Sequence, residues 1–192
     1  YSVTGVQTCA LPIYRDKAAR GIRACFPNLP KKRGPLDAKT WRTLEFPDHA
    51  VECTTFQSRP GILVSAHVYR PLERGVRRPG VVFPCGHSAD GKGSDLYRKA
   101  CVRLAREGYV VIIYDPVNQG ERDLYAPLDD PDRPTRFSPC VGHNLIGKQM
   151  NVSGDFFGTW RVFDGMRALD CLLERDDVDP DRIGVTGNSG GG

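Results

Sequence analysis

The chain of 192 residues has the length of one domain, with 40% hydrophobic residues, 26% charged residues and a formal net charge of +4. This charge is small and dispersed, and basic residues do not alternate with aromatic ones, which argues against a nucleic-acid-binding protein. No apolar run approaches the roughly 20 residues that a membrane-spanning helix needs. The seven cysteines form no C-x-x-C pair, so the sequence also argues against a zinc site.

Residues 3–13 resemble the in-frame translation of a widely used sequencing-adapter primer, over eleven residues without a gap. A signal peptide fits poorly, because no basic segment precedes this stretch and Pro12 interrupts it. We therefore predict that residues 1–13 are an adapter-derived artefact. The native start of the protein is then unknown, which leaves both a cytoplasmic and a secreted location open.

The next segment, residues 14–49, is predicted to be an N-terminal helix and linker. Residues 15–25 have helix-forming composition, and the prolines and glycine that follow favour irregular structure. The main domain is predicted over 50–192. It opens with strand patterns at 50–56 and 62–69, which indicate an antiparallel hairpin.

Strands and helices then alternate. Continuously apolar strands are predicted at 80–84 and 109–114, as expected for strands buried on both faces of a sheet, and a helix at 96–107 separates them. Residues 123–150 are polar and proline-rich, which predicts a long loop. An amphipathic helix is predicted at 158–175, with Arg161, Asp164, Arg167 and Asp170 largely opposite its apolar face, and a strand at 182–186. This order predicts an α/β fold with a mostly parallel sheet and right-handed crossovers.

The last strand leads into Gly187-Asn188-Ser189-Gly190-Gly191, a G-x-S-x-G sequence. It resembles the nucleophile elbow of the α/β-hydrolases, a sharp turn that exposes a serine hydroxyl above the sheet. Side chains two residues before and after the serine would crowd such a turn. Ser189 is therefore the candidate catalytic nucleophile. The alternatives are a glycine-rich turn with Ser189 as a helix N-cap and, less favoured because no lysine follows, a phosphate loop.

The loop after the strand at 80–84 contains Gly86 and His87, and its glycines allow close backbone approach to a substrate. We predict that the backbone amides of His87 and Gly190 form an oxyanion hole. We do not expect the His87 side chain to be the catalytic base. His143, in the predicted loop, is a candidate substrate-binding residue. Asp115 and Arg122 are expected either at the ligand crevice or, by preference, in a network that braces the loop.

Several segments together resemble the bacterial acetyl xylan esterase and dienelactone-hydrolase-like branch of the α/β-hydrolases. The resemblance is carried by VYRP at 68–71, PCGHSADGK at 84–92, YDPVNQGER at 114–122, GMRALD at 165–170 and DRIG at 181–184. It implies an α/β-hydrolase fold with an antiparallel N-terminal hairpin and helices on both faces. Residues 50–192 would be the N-terminal part of the catalytic domain, with its C-terminal part missing.

The resemblance also implies hydrolysis of a small-molecule or carbohydrate ester through an acyl-enzyme, with no metal or organic cofactor. Hydrolases of this fold order their triad as serine, acid and histidine. The acid and the histidine are therefore expected beyond residue 192, and the chain alone is expected to hydrolyse nothing. Two alternatives are a serine peptidase of the prolyl-oligopeptidase type and a non-catalytic binding protein on the same fold.

Overall fold

The computed structural model of the chain describes residues 4–26, 28–125, 127, 129 and 137–191, with residues 4–13 described by their backbone alone. Helix α1 (Thr4–Ala24) crosses the expected boundary between residues 13 and 14, and its side chains from Tyr14 onward are exposed. Residues 1–3 of the expected artefact lie outside the described residues, as does Gly192. Among the helices described, none is long and apolar enough to cross a membrane.

Six strands form one sheet in the order β1-β2-β3-β5-β4-β6. Strands β1, β2, β3 and β5 are joined by antiparallel pairing, whereas β5, β4 and β6 are parallel neighbours. The predicted α/β class and opening hairpin are therefore confirmed, while the parallel arrangement holds for three strands. The strand bounds are β1 Lys39–Glu45, β2 Ala50–Arg59, β3 Ile62–Arg70, β4 Arg78–Pro84, β5 Val110–Tyr114 and β6 Val178–Val185.

Helices cover both faces of the sheet. Helix α2 (Asp95–Arg106) packs on one face and α4 (Phe157–Leu173) on the other. Strand β5 shows the division, because Val111 and Ile113 pack in the core on the α2 face and Ile112 packs in the core on the α4 face. All five residues of β5 are buried, which is the reason for the continuously apolar run in the sequence.

Strand β1 was not predicted, and it lies within the segment expected to be a helix and linker. It pairs with β2 at the edge of the sheet, and six of its seven residues are exposed. An exposed edge strand buries almost no apolar surface, so its sequence lacks the alternation that marks a half-buried strand. The sheet therefore begins at residue 39, ahead of the expected domain start at residue 50.

The expected loop over 123–150 contains a helix, α3 (Pro139–Val152), so the loop prediction was wrong for this part. Pro139 stands in the first turn of α3, where proline is well tolerated, and Gly142, His143 and Ile146 form its buried face. The remaining residues of that stretch include 126, 128 and 130–136, which lie outside the described residues.

Helix α4 is also less amphipathic than predicted. Asp164 and Arg167, expected on its outer face, are 1% and 4% exposed. Arg122 donates to the Asp164 carboxylate at 2.7 Å, and Arg167 donates to the backbone oxygens of Gly34 and Gln57. Because strand β2 and the segments around Gly34 and Arg122 cover this face of α4, these charged side chains are buried with partners.

Candidate active site

The turn after β6, residues 186–191, is called the serine turn below. Its first residue, Thr186, donates its backbone N–H to the Val82 oxygen at 3.1 Å, so pairing with β4 continues to the turn. Ser189 is exposed and has φ +52°, a conformation that residues with a side chain rarely adopt. Such backbone typically costs about 1–3 kcal/mol and persists where the surroundings enforce it.

The glycines of the serine turn are required by its packing. A Cβ atom on Gly187 would overlap the backbone oxygen of Gly191, and one on Gly191 would overlap the backbone oxygen of Pro84. The residues two positions before and after Ser189 are thus closed to side chains. This is the physical cause of the G-x-S-x-G spacing seen in the sequence.

The loop after β4, residues 85–90, is called the β4 loop below, and it contacts the serine turn directly. A Cβ atom on Gly86 would lie 2.5 Å from the Asn188 oxygen and 3.3 Å from the Cβ atom of Ser189. The contact follows from the sheet, because β4 and β6 are parallel neighbours and their carboxyl ends meet at one edge. The structure therefore brings His87 and Gly190, the two expected amide donors, to the same place as Ser189.

Gln119 supports the β4 loop from behind. Its side-chain nitrogen donates to the backbone oxygens of Gly86 at 2.7 Å and Ser88 at 2.9 Å, and the residue is 1% exposed. The sequence analysis gave Gln119 no role. The sequence feature that could have identified it is its position in a polar segment directly after a buried strand.

Asp115, at the end of β5, belongs to a buried ion pair. Its carboxylate accepts from the backbone N–H of Lys92 at 2.7 Å, from Lys92 Nζ at 2.6 Å and from the Glu121 N–H at 3.0 Å. Arg122 instead donates to the Asp115 backbone oxygen. The bracing network therefore pairs Asp115 with Lys92, where the sequence analysis expected an arginine.

His143 lies beside His87. The distance from His87 Nε2 to His143 Nδ1 is 3.0 Å, and His143 Nε2 lies 2.7 Å from the backbone oxygen of Val117. His143 is 8% exposed, and protein groups occupy both of its ring nitrogens. This arrangement favours a supporting role for His143 over the expected contact with substrate.

Arg161, on α4, closes this side of the site. It donates to the backbone oxygen of Gly190 at 2.9 Å, and one of its nitrogens lies 3.4 Å from His143 Nδ1. The pKa of His143 is lowered to about 4, first by burial and then by the Arg161 charge, against the opposing effect of the Val117 hydrogen bond. Burial and then Arg161 also lower the pKa of His87. Both imidazoles are therefore held in the neutral form at neutral pH.

Two cavities open near these residues. One of about 360 Å³ lies between α4 and the ends of β4 and β6, with Tyr114, Arg161, Gly190 and Gly191 in its wall. A second of about 520 Å³ lies between α3, α4 and the β2–β3 turn, and is lined mainly by apolar side chains such as Trp160. Each has room for a small organic molecule.

Comparison with known proteins identifies hydrolases and esterases with a similar architecture. "Putative hydrolase YtaP" of Bacillus subtilis (strain 168) is 27% identical over 175 residues, covering 86% of this chain and 53% of that protein. A putative acetyl xylan esterase from Bacteroides fragilis NCTC 9343 superposes with a TM-score of 0.72 at 17% identity, covering 92% of this chain and 48% of the other. Acetyl xylan esterase 1 from Thermoanaerobacterium sp. JW/SL YS485 superposes with a TM-score of 0.60 at 17% identity, covering 83% and 46%.

These similarities, together with the sheet order, show that the chain has the α/β-hydrolase fold, so the fold implied by the sequence motifs is confirmed. No protein-family model matches the chain. The chain spans about half the length of the curated relative it matches.

Proposed function

We propose that the whole protein is a serine-dependent carboxylic ester hydrolase. The observation that carries the proposal is Ser189, which is exposed at φ +52° and lies against the β4 loop at the carboxyl edge of the sheet. A serine held in strained backbone, with glycine amides and a second loop beside it, suits nucleophilic attack on an acyl carbon.

The proposed reaction has two steps. The Ser189 hydroxyl oxygen attacks the ester carbonyl carbon, its proton passes to a histidine base, and the resulting oxyanion accepts hydrogen bonds from the N–H groups of Gly190 and His87. The alcohol leaves with that proton, and water then cleaves the acyl-enzyme to release the acid and restore the serine. Each oxyanion donor typically contributes about 3–4 kcal/mol to lowering the barrier.

The triad acid and base are proposed to follow Ser189 in the chain order of this fold, beyond residue 192. Two observations on the histidines near Ser189 support this proposal. Within the part of the chain that the structure describes, no histidine is hydrogen-bonded to the Ser189 hydroxyl, and the Nε2 atom of His87 is engaged by His143. His87 also has a histidine, and not a carboxylate, as its ring partner, so it lacks the partner that orients a triad base.

The proposed substrates are small or carbohydrate-linked esters, with acetyl esters first among them. The support is the naming of two similar structures as acetyl xylan esterases. The cavity of about 360 Å³ beside Gly190 and Gly191 is of a size that suits a short acyl group or a single sugar ring.

The test compares Ser189→Ala with wild type in the full-length protein, using p-nitrophenyl acetate and acetylated xylan. We expect kcat to fall by at least about 10⁴-fold, because the nucleophile is lost. Ser94→Ala is the matched control, since Ser94 makes no side-chain capping bond and lies at the start of α2. Wild-type activity in Ser189→Ala would refute the proposal.

Two rivals give different outcomes in the same protein. A peptidase of the prolyl-oligopeptidase type would cleave a prolyl p-nitroanilide faster than p-nitrophenyl acetate, still through Ser189. A binding protein would hydrolyse neither compound, and a fluorophosphonate probe would leave Ser189 unlabelled.

A further inference from the structure

We propose that His143 is a positioning residue, whose Nδ1 lone pair holds the His87 ring and through it the β4 loop against the serine turn. This inference rests on the proposed function, because it assigns the His87 backbone N–H as an oxyanion donor. It gives a role to a residue from α3, beside the loops after β4, β5 and β6 and Arg161 of α4.

The hydrogen-bond chain fixes where the protons lie. A backbone carbonyl can only accept, so His143 Nε2, 2.7 Å from the Val117 oxygen, must carry a proton. In a neutral imidazole the other nitrogen is then an acceptor. His143 Nδ1 therefore accepts from His87 Nε2 at 3.0 Å, and His87 must carry its proton on Nε2. One carbonyl oxygen thus sets the tautomer of both rings.

The surroundings keep this chain neutral. Among the described residues, the titratable and charged groups facing the two rings are the rings themselves and the Arg161 guanidinium on α4. Arg161 opposes protonation of either ring, and its second nitrogen is held by the Gly190 oxygen at 2.9 Å. The ring of Phe157, whose centroid lies 5.0 Å from that of His143, covers another side without adding charge.

The His87 ring is the link to catalysis. A Cβ atom on Gly190 would lie 2.5 Å from Cε1 and 2.6 Å from Nδ1 of His87, so the ring rests directly on the serine turn. Gln119 holds the loop through the oxygens of Gly86 and Ser88, and His143 holds the side chain of the residue between them. The amide of His87 is therefore tethered on both sides.

Three variants of His143 in the full-length protein separate the effects of its Nδ1 acceptor, its Nε2 donor and its ring packing. His143→Phe keeps the ring packing and removes the acceptor, so we expect kcat to fall about tenfold or more, with KM changed less than about twofold. His143→Asn places an oxygen near the position of Nδ1, and we expect kcat to stay within about fivefold of wild type. His143→Gln keeps a donor near Val117 but displaces the acceptor, so we expect its kcat to resemble that of His143→Phe.

A second measurement does not depend on turnover. Nitrogen-15 NMR of the imidazoles, recorded on full-length Ser189→Ala, should show protonated Nε2 and bare Nδ1 for both His87 and His143. His143→Phe in the same background should speed hydrogen exchange at the His87 amide. The NMR and hydrogen-exchange measurements remain informative even if the protein is not an esterase. If wild type shows no ester hydrolysis that depends on Ser189, only the proposed function is contradicted.

The kinetic and spectroscopic results can each overturn the inference. Wild-type kcat in His143→Phe, or equal losses in His143→Asn and His143→Phe, would show that the acceptor does not position the loop. A bare Nε2 on His143 would break the hydrogen-bond chain. If His143→Phe does not fold, the tautomer measurement on the Ser189→Ala protein still decides.

Discussion

Gln119 and Gly86 are joined by a buried hydrogen bond of 2.7 Å, from the Gln119 side-chain nitrogen to the Gly86 oxygen. The same nitrogen donates to Ser88, so one side chain from the loop after β5 holds the β4 loop at two points. A loop held in this way presents its amides in one geometry, which the proposed oxyanion hole requires.

Replacing Gln119 with methionine keeps its volume and removes the donor. We expect the full-length protein to lose about 1–3 kcal/mol of unfolding free energy, because one buried and one part-buried carbonyl oxygen lose their partner. We also expect kcat to fall more than KM rises. Urea unfolding and ester kinetics check this, with Gln149→Met on the exposed face of α3 as the control. Equal behaviour of the two variants would contradict the bracing role.

Adding a methyl group at Gly187 or Gly191 should disrupt the serine turn. Either Cβ atom would overlap a backbone oxygen, which cannot move aside as a flexible side chain could. We expect each alanine variant to lose fluorophosphonate labelling of Ser189 and at least about 2 kcal/mol of stability. Gly184→Ala on β6 is the control, because nothing lies within 4 Å of its added Cβ. Normal labelling of Gly187→Ala would show that the turn adapts.

Breaking the buried Asp115–Lys92 pair should be costly. Asp115 is 0% exposed and Lys92 is 4% exposed, so Asp115→Asn removes the buried charge partner of the Lys92 ammonium and leaves it the largely exposed Glu121 carboxylate. We expect a loss of about 3–5 kcal/mol in the free energy of unfolding. The exposed Asp95–Arg98 pair on α2 is the control, and Asp95→Asn should cost less than about 1 kcal/mol. A small effect at Asp115 would indicate that Glu121 alone compensates Lys92.

Stability should fall in mild acid through His67 and His143. Burial lowers the pKa of each from its ordinary value of 6.5 to about 4, with the Lys92 charge adding to the effect at His67. Between these two pH values the unfolded chain binds protons that the folded chain does not, so stability present above pH 6.5 is lost as the pH falls towards 4.

The variant that tests this acid dependence is His67→Phe. His67 Nδ1 is buried and has no hydrogen-bond partner among the described residues, so phenylalanine removes the titrating group at little cost in contacts. We expect the drop in unfolding free energy between pH 7 and pH 4.5 to shrink by about 1–2 kcal/mol, after allowance for partial exposure of the ring. An unchanged slope would place the acid sensitivity elsewhere.

Local sequence patterns were sufficient for much of the fold. Buried strands such as β5 are apolar on both faces, so their apolar runs are visible in the sequence. The helix predicted at 96–107 is α2, and Gly108, at φ +92°, follows its C-cap, where glycine is common. The sequence pattern did not predict elements in which the alternation of apolar and polar residues does not follow burial. β1 is a strand with little burial, and α3 follows a proline-rich stretch, so neither shows the periodicity that identifies an element.

For the site, the sequence by itself determined the serine turn, because Gly187, Ser189 and Gly191 lie within five residues and the steric reason for their spacing is local. Only the tertiary structure decided which distant groups join it. His143 meets His87 across 56 residues, and Gln119 meets Gly86 across 33 residues. These contacts depend on the parallel pairing of β4 with β5 and β6 and on the packing of α3 and α4, which no local spacing encodes.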